Sequence, residues 1–212
     1  PSSISVLAIG PAGENLVRFA CPVNDYHHVA GRTGAGAVMG VKKLKAIAVR
    51  GTKPVKIARP EEFKKIAREV RERVIAAYKA RVYAKDGKVE AYERGCLPAK
   101  NYQSGILPGW LEAMHSDVAK KYIVKQEGCY ACPLLCFDIV EVKEGKYAGT
   151  KVSRGSFPGI TYDIGAKLAL RSLPAVWRFK QLCQQYGLDY VSAAGTIAFA
   201  MELYQRGIIT IS

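Results

Sequence analysis

Three cysteines stand within eight residues in Gly128-Cys129-Tyr130-Ala131-Cys132-Pro133-Leu134-Leu135-Cys136-Phe137-Asp138. The spacing C-x2-C-x3-C lets three soft sulfur donors face one inorganic centre, and such thiolates are the ligands of iron-sulfur clusters. Cys129, Cys132 and Cys136 are therefore read as metal ligands, in the first place to a [4Fe-4S] cluster. Leu134, Leu135 and Phe137 are expected to form an apolar shell that keeps water from the sulfurs. Structural zinc is the second reading and inert buried thiols the third. A closed zinc site takes four ligands, and no further Cys or His pair stands at a zinc spacing. The spacing is the reverse of the C-x3-C-x2-C run of radical enzymes that use S-adenosylmethionine. A cube needs a fourth donor, for which Cys21, Cys96 and Cys183 are the remaining thiols. Each of these, isolated in sequence, reads as a small buried hydrophobe.

A second cluster of unusual residues is Ala30-Gly31-Arg32-Thr33-Gly34-Ala35-Gly36-Ala37-Val38-Met39-Gly40. Its G-x-G-x-x-x-G spacing departs by one residue from the dinucleotide fingerprint. About twenty residues on, where that fingerprint needs an acid for the ribose, stand Lys53, Lys56 and Arg59, which argues against nicotinamide-dinucleotide binding. Two readings remain. Missing side chains let backbone N-H groups approach an anion, with Arg32 supplying a planar charged fork; or they let a turn pack tightly on a sheet.

The elements that must carry these motifs have their own signals. Ser5 to Ile9 and Ala46 to Val49 read as short strands, closed by Gly10-Pro11 and Gly51. A connector from Thr52 to Pro60 leads to Pro60-Glu61-Glu62, a helix start. The following helix places Phe63, Ile66, Ala67, Val70, Val74, Ala77 and Tyr78 on one face, expected to pack inward. Gly87, Gly95 and Pro98 end that region, and a mixed, turn-rich stretch runs on to the cysteines. A second helix carries Val176, Phe179, Leu182, Cys183 and Tyr186 inward and stops at Gly187. A third spans about 190–206, with Ala194, Ile197, Ala198, Met201 and Tyr204 inward and Gly207 closing it. The expected fold is α+β: a short β-rich piece over 1–57 followed by a mostly α-helical domain over 58–212.

With 212 residues, 49% hydrophobic and 24% charged, the chain has the composition of a soluble globular protein. No run of eighteen apolar residues exists, so no ordinary membrane helix is expected. The first ten residues lack the basic start of a signal peptide, which points to a cytoplasmic location, and a chain opening on Pro is expected to be an excerpt. The net charge is +14, which raises the question of a polyanion partner. Residues 41–94 hold 17 basic and 7 acidic residues, ten of the fourteen excess charges. That excess lies mainly on one helical face without interleaved aromatics, so nucleic acid is not the expected partner.

Taken in order, three stretches resemble a known family. Ala8 to Ala20 followed by Ala30 to Gly40 and Leu44 to Gly51, the cysteine block Gly128 to Cys136, and Gly187-Leu188-Asp189 through Ile197 to Glu202 are similar to the aldehyde:ferredoxin oxidoreductases, tungsten or sometimes molybdenum pterin enzymes. The resemblance runs over nearly the whole chain. It implies oxidation of a small-molecule aldehyde to a carboxylic acid. It also implies passage of two electrons from a bis-pyranopterin metal centre through a [4Fe-4S] cluster to ferredoxin. It implies pterin-phosphate contacts at Ala30, Gly31, Arg32, Thr33, Gly34 and Gly36, and cluster ligation by Cys129, Cys132 and Cys136. The family's fourth cysteine would lie in a later domain, and half of the pterin domain would precede residue 1. Those missing segments or a companion subunit, and a possible homodimer, are expected partners, and the 212 residues alone are not expected to oxidise aldehydes. The basic stretch 41–94 is read as a solvated surface that docks the acidic ferredoxin. Where the family carries Gly-Pro-Glu-Tyr-Glu, this chain has Ser156-Phe157-Pro158-Gly159-Ile160-Thr161-Tyr162-Asp163. Asp163 is the candidate proton-handling carboxylate there, and a helix N-cap before Ile164 is its alternative role. The alternative function is a non-catalytic iron-sulfur fragment or electron-transfer subunit of a split or degenerate relative.

Overall fold

The computed structural model describes residues 4–25, 28–82, 92–135, 137–155 and 157–210. Its fold is α+β. The first unit is a four-stranded antiparallel sheet in the order β3-β2-β1-β4, with β1 Ser5–Ala8, β2 Val23–Asn24, β3 His28–Val29 and β4 Ala46–Val49. β1 and β4 are the two expected strands, aligned so that Ser5 faces Val49 and Ala8 faces Ala46. β2 and β3 are two residues each, too short for an alternating pattern. Asp25 pins this corner by accepting from the Ser5 hydroxyl (2.6 Å) and the Val6 amide (2.8 Å).

Two short helices, α1 Pro11–Glu14 and α2 Ala35–Val41, pack against one another beside this sheet. Their approach is closer than any side chain allows. A Cβ on Gly40 would lie 2.0 Å from the Gly13 carbonyl oxygen, and one on Gly36 would lie 2.7 Å from the Cys21 nitrogen.

Helix α3, Pro60–Val82, starts at Pro60 with Glu61 and Glu62 in its first turn. The sequence pattern predicts an inward apolar face, but Phe63, Ile66 and Val70 are each about half exposed. Periodicity identifies a face that needs a partner and does not supply the partner.

The second unit contains a sheet that the sequence reading, turn-rich up to the cysteines and without strands beyond them, did not anticipate. Strands β5 Ile123–Glu127, β6 Phe137–Glu141 and β7 Lys151–Ser153 form an antiparallel sheet with β6 in the middle. β6 is buried over its first four residues, whereas β5 is mostly exposed. That mixture hides the alternation by which an amphipathic strand is recognised. Short helices α4 Trp110–Met114 and α5 Ser116–Lys120, and long helices α6 Leu173–Tyr186 and α7 Tyr190–Gln205, belong to the same unit, with shorter turns at Ala99–Tyr102, Pro158–Ile160 and Thr161–Ala166. Trp110, Met114, Val140, Ile164, Val176 and Trp177 are at its core, all fully buried.

The end of α6 at Gly187 and both ends of α7 fall where expected, whereas the start of α6 was not read from the sequence. The Ser172 hydroxyl accepts from Ala175 N (3.5 Å) at the start of α6, and Asp189 Oδ2 accepts from Ser192 N (2.7 Å) at the start of α7. α6 ends at Gly187 with φ +70°. The inward faces need correction. Val176, Cys183, Ala194 and Ala198 are buried, but Tyr186, Ile197, Met201 and Tyr204 are 43–52% exposed. α7 is apolar nearly all round, so its pattern does not single out one covered side.

Candidate functional site

Cys129 and Cys132 lie on the loop between β5 and β6, both exposed and free. The loop is tightly wound. Cys132 N donates to Cys129 O (3.0 Å), Ala131 has φ +57°, and a Cβ on Gly128 would lie 2.5 Å from Leu134 O. Cys136 lies outside the described residues. The expected apolar shell is corrected in two places. Leu135 is 58% exposed, and Phe137 is buried as the first residue of β6. The strand's own burial decides where Phe137 goes, and the loop tip, carrying a fully exposed Tyr130, stays open to solvent.

Of the other thiols, Cys21 and Cys183 are buried, as expected. Burial pushes both up to about 12, the Asp189 carboxylate adding to the effect, so neither is a ready thiolate. Cys96 departs from expectation: it is exposed. Among the described residues no three His, Cys, Asp or Glu side chains are gathered as a metal site.

The Gly-rich turn combines features of both of its readings. Gly34 has φ +71°, and a Cβ there would lie 2.6 Å from Arg18 O. With Gly36 it makes room for the protein's own backbone, which is the tight-packing role. Ala30, Arg32 and Thr33 meanwhile face solvent, leaving an outer surface open to a ligand. A Cβ on Gly31 would lie 2.9 Å from Asp189 Oδ1, so the turn rests on the start of α7. Asp189 N also donates to Phe19 O (3.1 Å), and Cys21 N to Gly187 O (2.8 Å).

Asp163 is not an N-cap. It sits inside a π-helical turn, Thr161–Ala166, that continues the short helix Pro158–Ile160. Such turns recur at functional sites. Its Oδ1 is 3.4 Å from Lys167 Nζ, a largely buried ammonium. Asp163 acts across the core on Tyr190: burial raises this phenol's pKa, Asp163 and Asp189 raise it further, and Arg154 opposes them.

Sequence reading gave Tyr190 and Arg154 no role and named Asp189 only within the family-like stretch Gly187-Leu188-Asp189. Asp189 had a signal, the N-cap position before an apolar helix. Arg154 had none. Its guanidinium lies 3.9 Å from the centre of the Phe137 ring, whose other neighbour is His28 of β3, 5.5 Å away between ring centres. The two sheets therefore meet at the residue that follows Cys136. A separate cleft of about 740 Å³ lies between β1 and α6, lined by Val6, Asp25, Lys151, Gln181 and Gln184 among others, and the Gly-rich turn is not among its lining residues.

Lys180 is buried beside Arg154, with Nζ donating to Ser153 O (2.5 Å). Burial first and Arg154 second, against Asp138, pull its ammonium down from 10.5 to about 8. Between those values the unfolded chain holds a proton that the folded chain has released, so stability rises with pH across that window and is lowest below it. Relative to Lys180→Met, the wild-type chain is expected to gain about 3 kcal/mol between pH 7 and pH 11. Urea denaturation at the two pH values measures it, and a pH-independent difference would refute the depressed basicity.

On this α+β frame the Gly-rich turn meets the start of α7 at Asp189, and the strand after the thiol-bearing loop meets His28 and Arg154 at Phe137. The chain belongs to the aldehyde ferredoxin oxidoreductase family: the family's N-terminal domain matches residues 2–51, and its domains 2 and 3 match residues 60–212. It is 39% identical over 210 residues to the tungsten-containing aldehyde ferredoxin oxidoreductase of Pyrococcus furiosus, covering 96% of this chain and 34% of the relative. It is 37% identical over 214 residues to that of Thermococcus kodakarensis, covering 99% and 34%. The chain thus spans about a third of the length of these relatives. Among solved structures it is similar to the active-site complex BamBC of benzoyl-coenzyme A reductase with 1,5-dienoyl-CoA. That likeness has a TM-score of 0.81 and 27% identity, over 98% of this chain and 33% of the other. Among the described residues no helix is long and apolar enough to cross a membrane.

Proposed function

We propose that this chain is part of a tungsten (or molybdenum) bis-pyranopterin oxidoreductase that converts aldehydes to carboxylic acids and delivers electrons through a [4Fe-4S] cluster to ferredoxin. The observation that carries the reading is the meeting of the motif ends. The Gly-rich turn rests on Asp189, Phe137 after the cysteine loop lies against His28 and Arg154, and Asp163 acts on Tyr190.

The donors fit the groups. Two exposed, unpaired thiols on one tightly wound turn are soft ligands for an iron-sulfur centre, and the outer face of residues 30–33 is free for a phosphate. When bound, the metal-pterin supplies the two-electron oxidation of the aldehyde, with water as the oxygen source, and the cluster supplies one-electron exit. Cys129, Cys132 and Cys136 hold the cluster as thiolates. Ala30, Gly31 and Thr33 bring backbone close to the pterin phosphate, Gly34 and Gly36 seat that turn against Arg18 and Cys21, and the Arg32 guanidinium grips the phosphate through a planar fork. Asp163 takes up a released proton at its carboxylate, with Lys167 Nζ holding Oδ1 in place.

The exposed apolar faces of α3 and α7 are where the remaining two thirds of the protein, or a companion subunit, pack. The basic surface of α3 receives ferredoxin by long-range attraction, and the working enzyme is a cytoplasmic homodimer without nucleic acid. The test is anaerobic purification of the full-length protein followed by metal, sulfide and activity measurements. Iron, acid-labile sulfide and tungsten with aldehyde-dependent viologen reduction are expected; zinc without iron or sulfide would sink the assignment.

A further inference from the structure

Arg154 follows Ser153 at the end of β7 and precedes Gly155, and its backbone is left-handed, with φ +54°, a conformation few residues with side chains adopt. Two buried side chains of α6 hold it there. Lys180 Nζ donates to Ser153 O (2.5 Å), and the Trp177 indole N-H donates to Gly155 O (2.8 Å). The carbonyls on both sides of Arg154 are thus fixed from one helix face on which Lys180 is 4% and Trp177 0% exposed. So aimed, the guanidinium lies 3.9 Å from the centre of the Phe137 ring and 6.0 Å from that of Phe157.

Phe137 is the residue next to Cys136. Three charges gather behind this end of β6: Arg154, Lys180 and the buried carboxylate of Asp138, which acts on Lys180 with the opposite sign to Arg154. Within that trio the cations outnumber the carboxylate, and Asp163 and Asp189 act with Arg154 on Tyr190. A buried ammonium is costly where a neutral donor would tie down one carbonyl, so the second cation implies a use for the charge.

We propose that Arg154, clamped by Lys180 and Trp177 against Phe137, holds a fixed positive charge at the start of β6, the strand that the cysteine loop leads into, and raises the reduction potential of the cluster bound by that loop. The inference rests on the cluster reading given above. One-electron reduction adds a negative charge to the cluster, and a fixed cation in a partly dry setting favours the reduced form over the oxidised one. Arg154 acts on the cluster's energy and touches no reacting atom, and Lys180 and Trp177 are positioning residues for it.

The test is a dithionite titration of the full-length, anaerobically purified protein. The midpoint potential is read by electron paramagnetic resonance of the reduced cluster, and iron and sulfide are measured on every sample. Arg154→Gln should keep its iron and sulfide and shift the midpoint down by about a tenfold change in the reduction equilibrium, or about 59 mV for one electron. Arg154→Lys, which keeps the charge, should stay nearer the wild type. Lys180→Met should shift the midpoint the same way as Arg154→Gln. A wild-type midpoint in Arg154→Gln with full iron and sulfide overturns the inference while leaving the cluster reading intact. Should Arg154→Gln lose its iron, Lys180→Met decides, and a wild-type midpoint there is equally fatal. A wild-type protein containing zinc and no iron removes the cluster reading and the inference with it, and metal content separates that failure from the others.

Discussion

Cys132→Ser in the full-length protein is expected to lose most of its iron and acid-labile sulfide and to lower aldehyde-dependent viologen reduction by more than about 100-fold. Removing even an outer partner of a metal ligand typically costs 10- to 100-fold, and under the proposed function a ligand itself is lost together with the electron exit. Folding should survive, because Cys132 is exposed on a loop between strands and surface changes away from special features shift stability by about 0.5 kcal/mol or less. Cys96→Ser is the matched control: also exposed, it stands apart from the three-thiol loop and should leave iron, sulfide and rate unchanged. Retention of iron and full rate by Cys132→Ser, or equal losses from both variants, would show that the loop is not the cluster site.

The second large effect is on stability. Gly187→Ala should destabilise the chain by about 3 kcal/mol or more, while Gly207→Ala costs about 1–2 kcal/mol. Both glycines are left-handed, at φ +70° and +69°, and both follow a long helix. They differ in surroundings. A Cβ on Gly187 would lie 2.7 Å from Gly10 N and 3.2 Å from Cys21 O, whereas one on Gly207 meets nothing within 4 Å. Gly187 therefore carries a conformational cost and a clash with backbone that cannot rotate away, at the place where Cys21 N reaches Gly187 O. Urea denaturation of the two variants reads the difference. Equal losses would mean that the approach of the first sheet to α6 contributes nothing to stability.

The two glycines also show where sequence reading stops. In sequence both look like helix terminators, and both are. Only the folded chain distinguishes them, because what one of them approaches is a strand end more than 170 residues earlier. The same limit applies to the faces of the helices. The repeat of Phe63, Ile66 and Val70 is real, and so is that of Ile197, Met201 and Tyr204, yet these residues are exposed. A period records a stripe on one helix, whereas burial depends on what lies opposite.

Strand β6 gave no strand signal in the sequence because a strand buried on both faces has no alternation to detect. The N-cap role of Asp163 fails for a related reason. The residues after Pro158 have a helix-start composition, and whether the next turn closes with four or five residues is set by packing around Ile164 and Gly165.

The amino-acid order by itself determined the local chemistry of this protein. It set the three thiols in one loop, the glycines that permit close turns, the caps at Ser172 and Asp189, the helix start at Pro60 and the uneven charge, since each depends on residues a few positions apart. Tertiary structure alone decided which of these meet. Asp189 reaches Phe19 and the Gly-rich turn, Phe137 lies between His28 and Arg154, and Lys180 is buried under Ser153. Those contacts join segments from about 17 to 170 residues apart, with no periodicity linking their partners, and only the packing of two sheets around α6 and α7 brings them within a few ångströms.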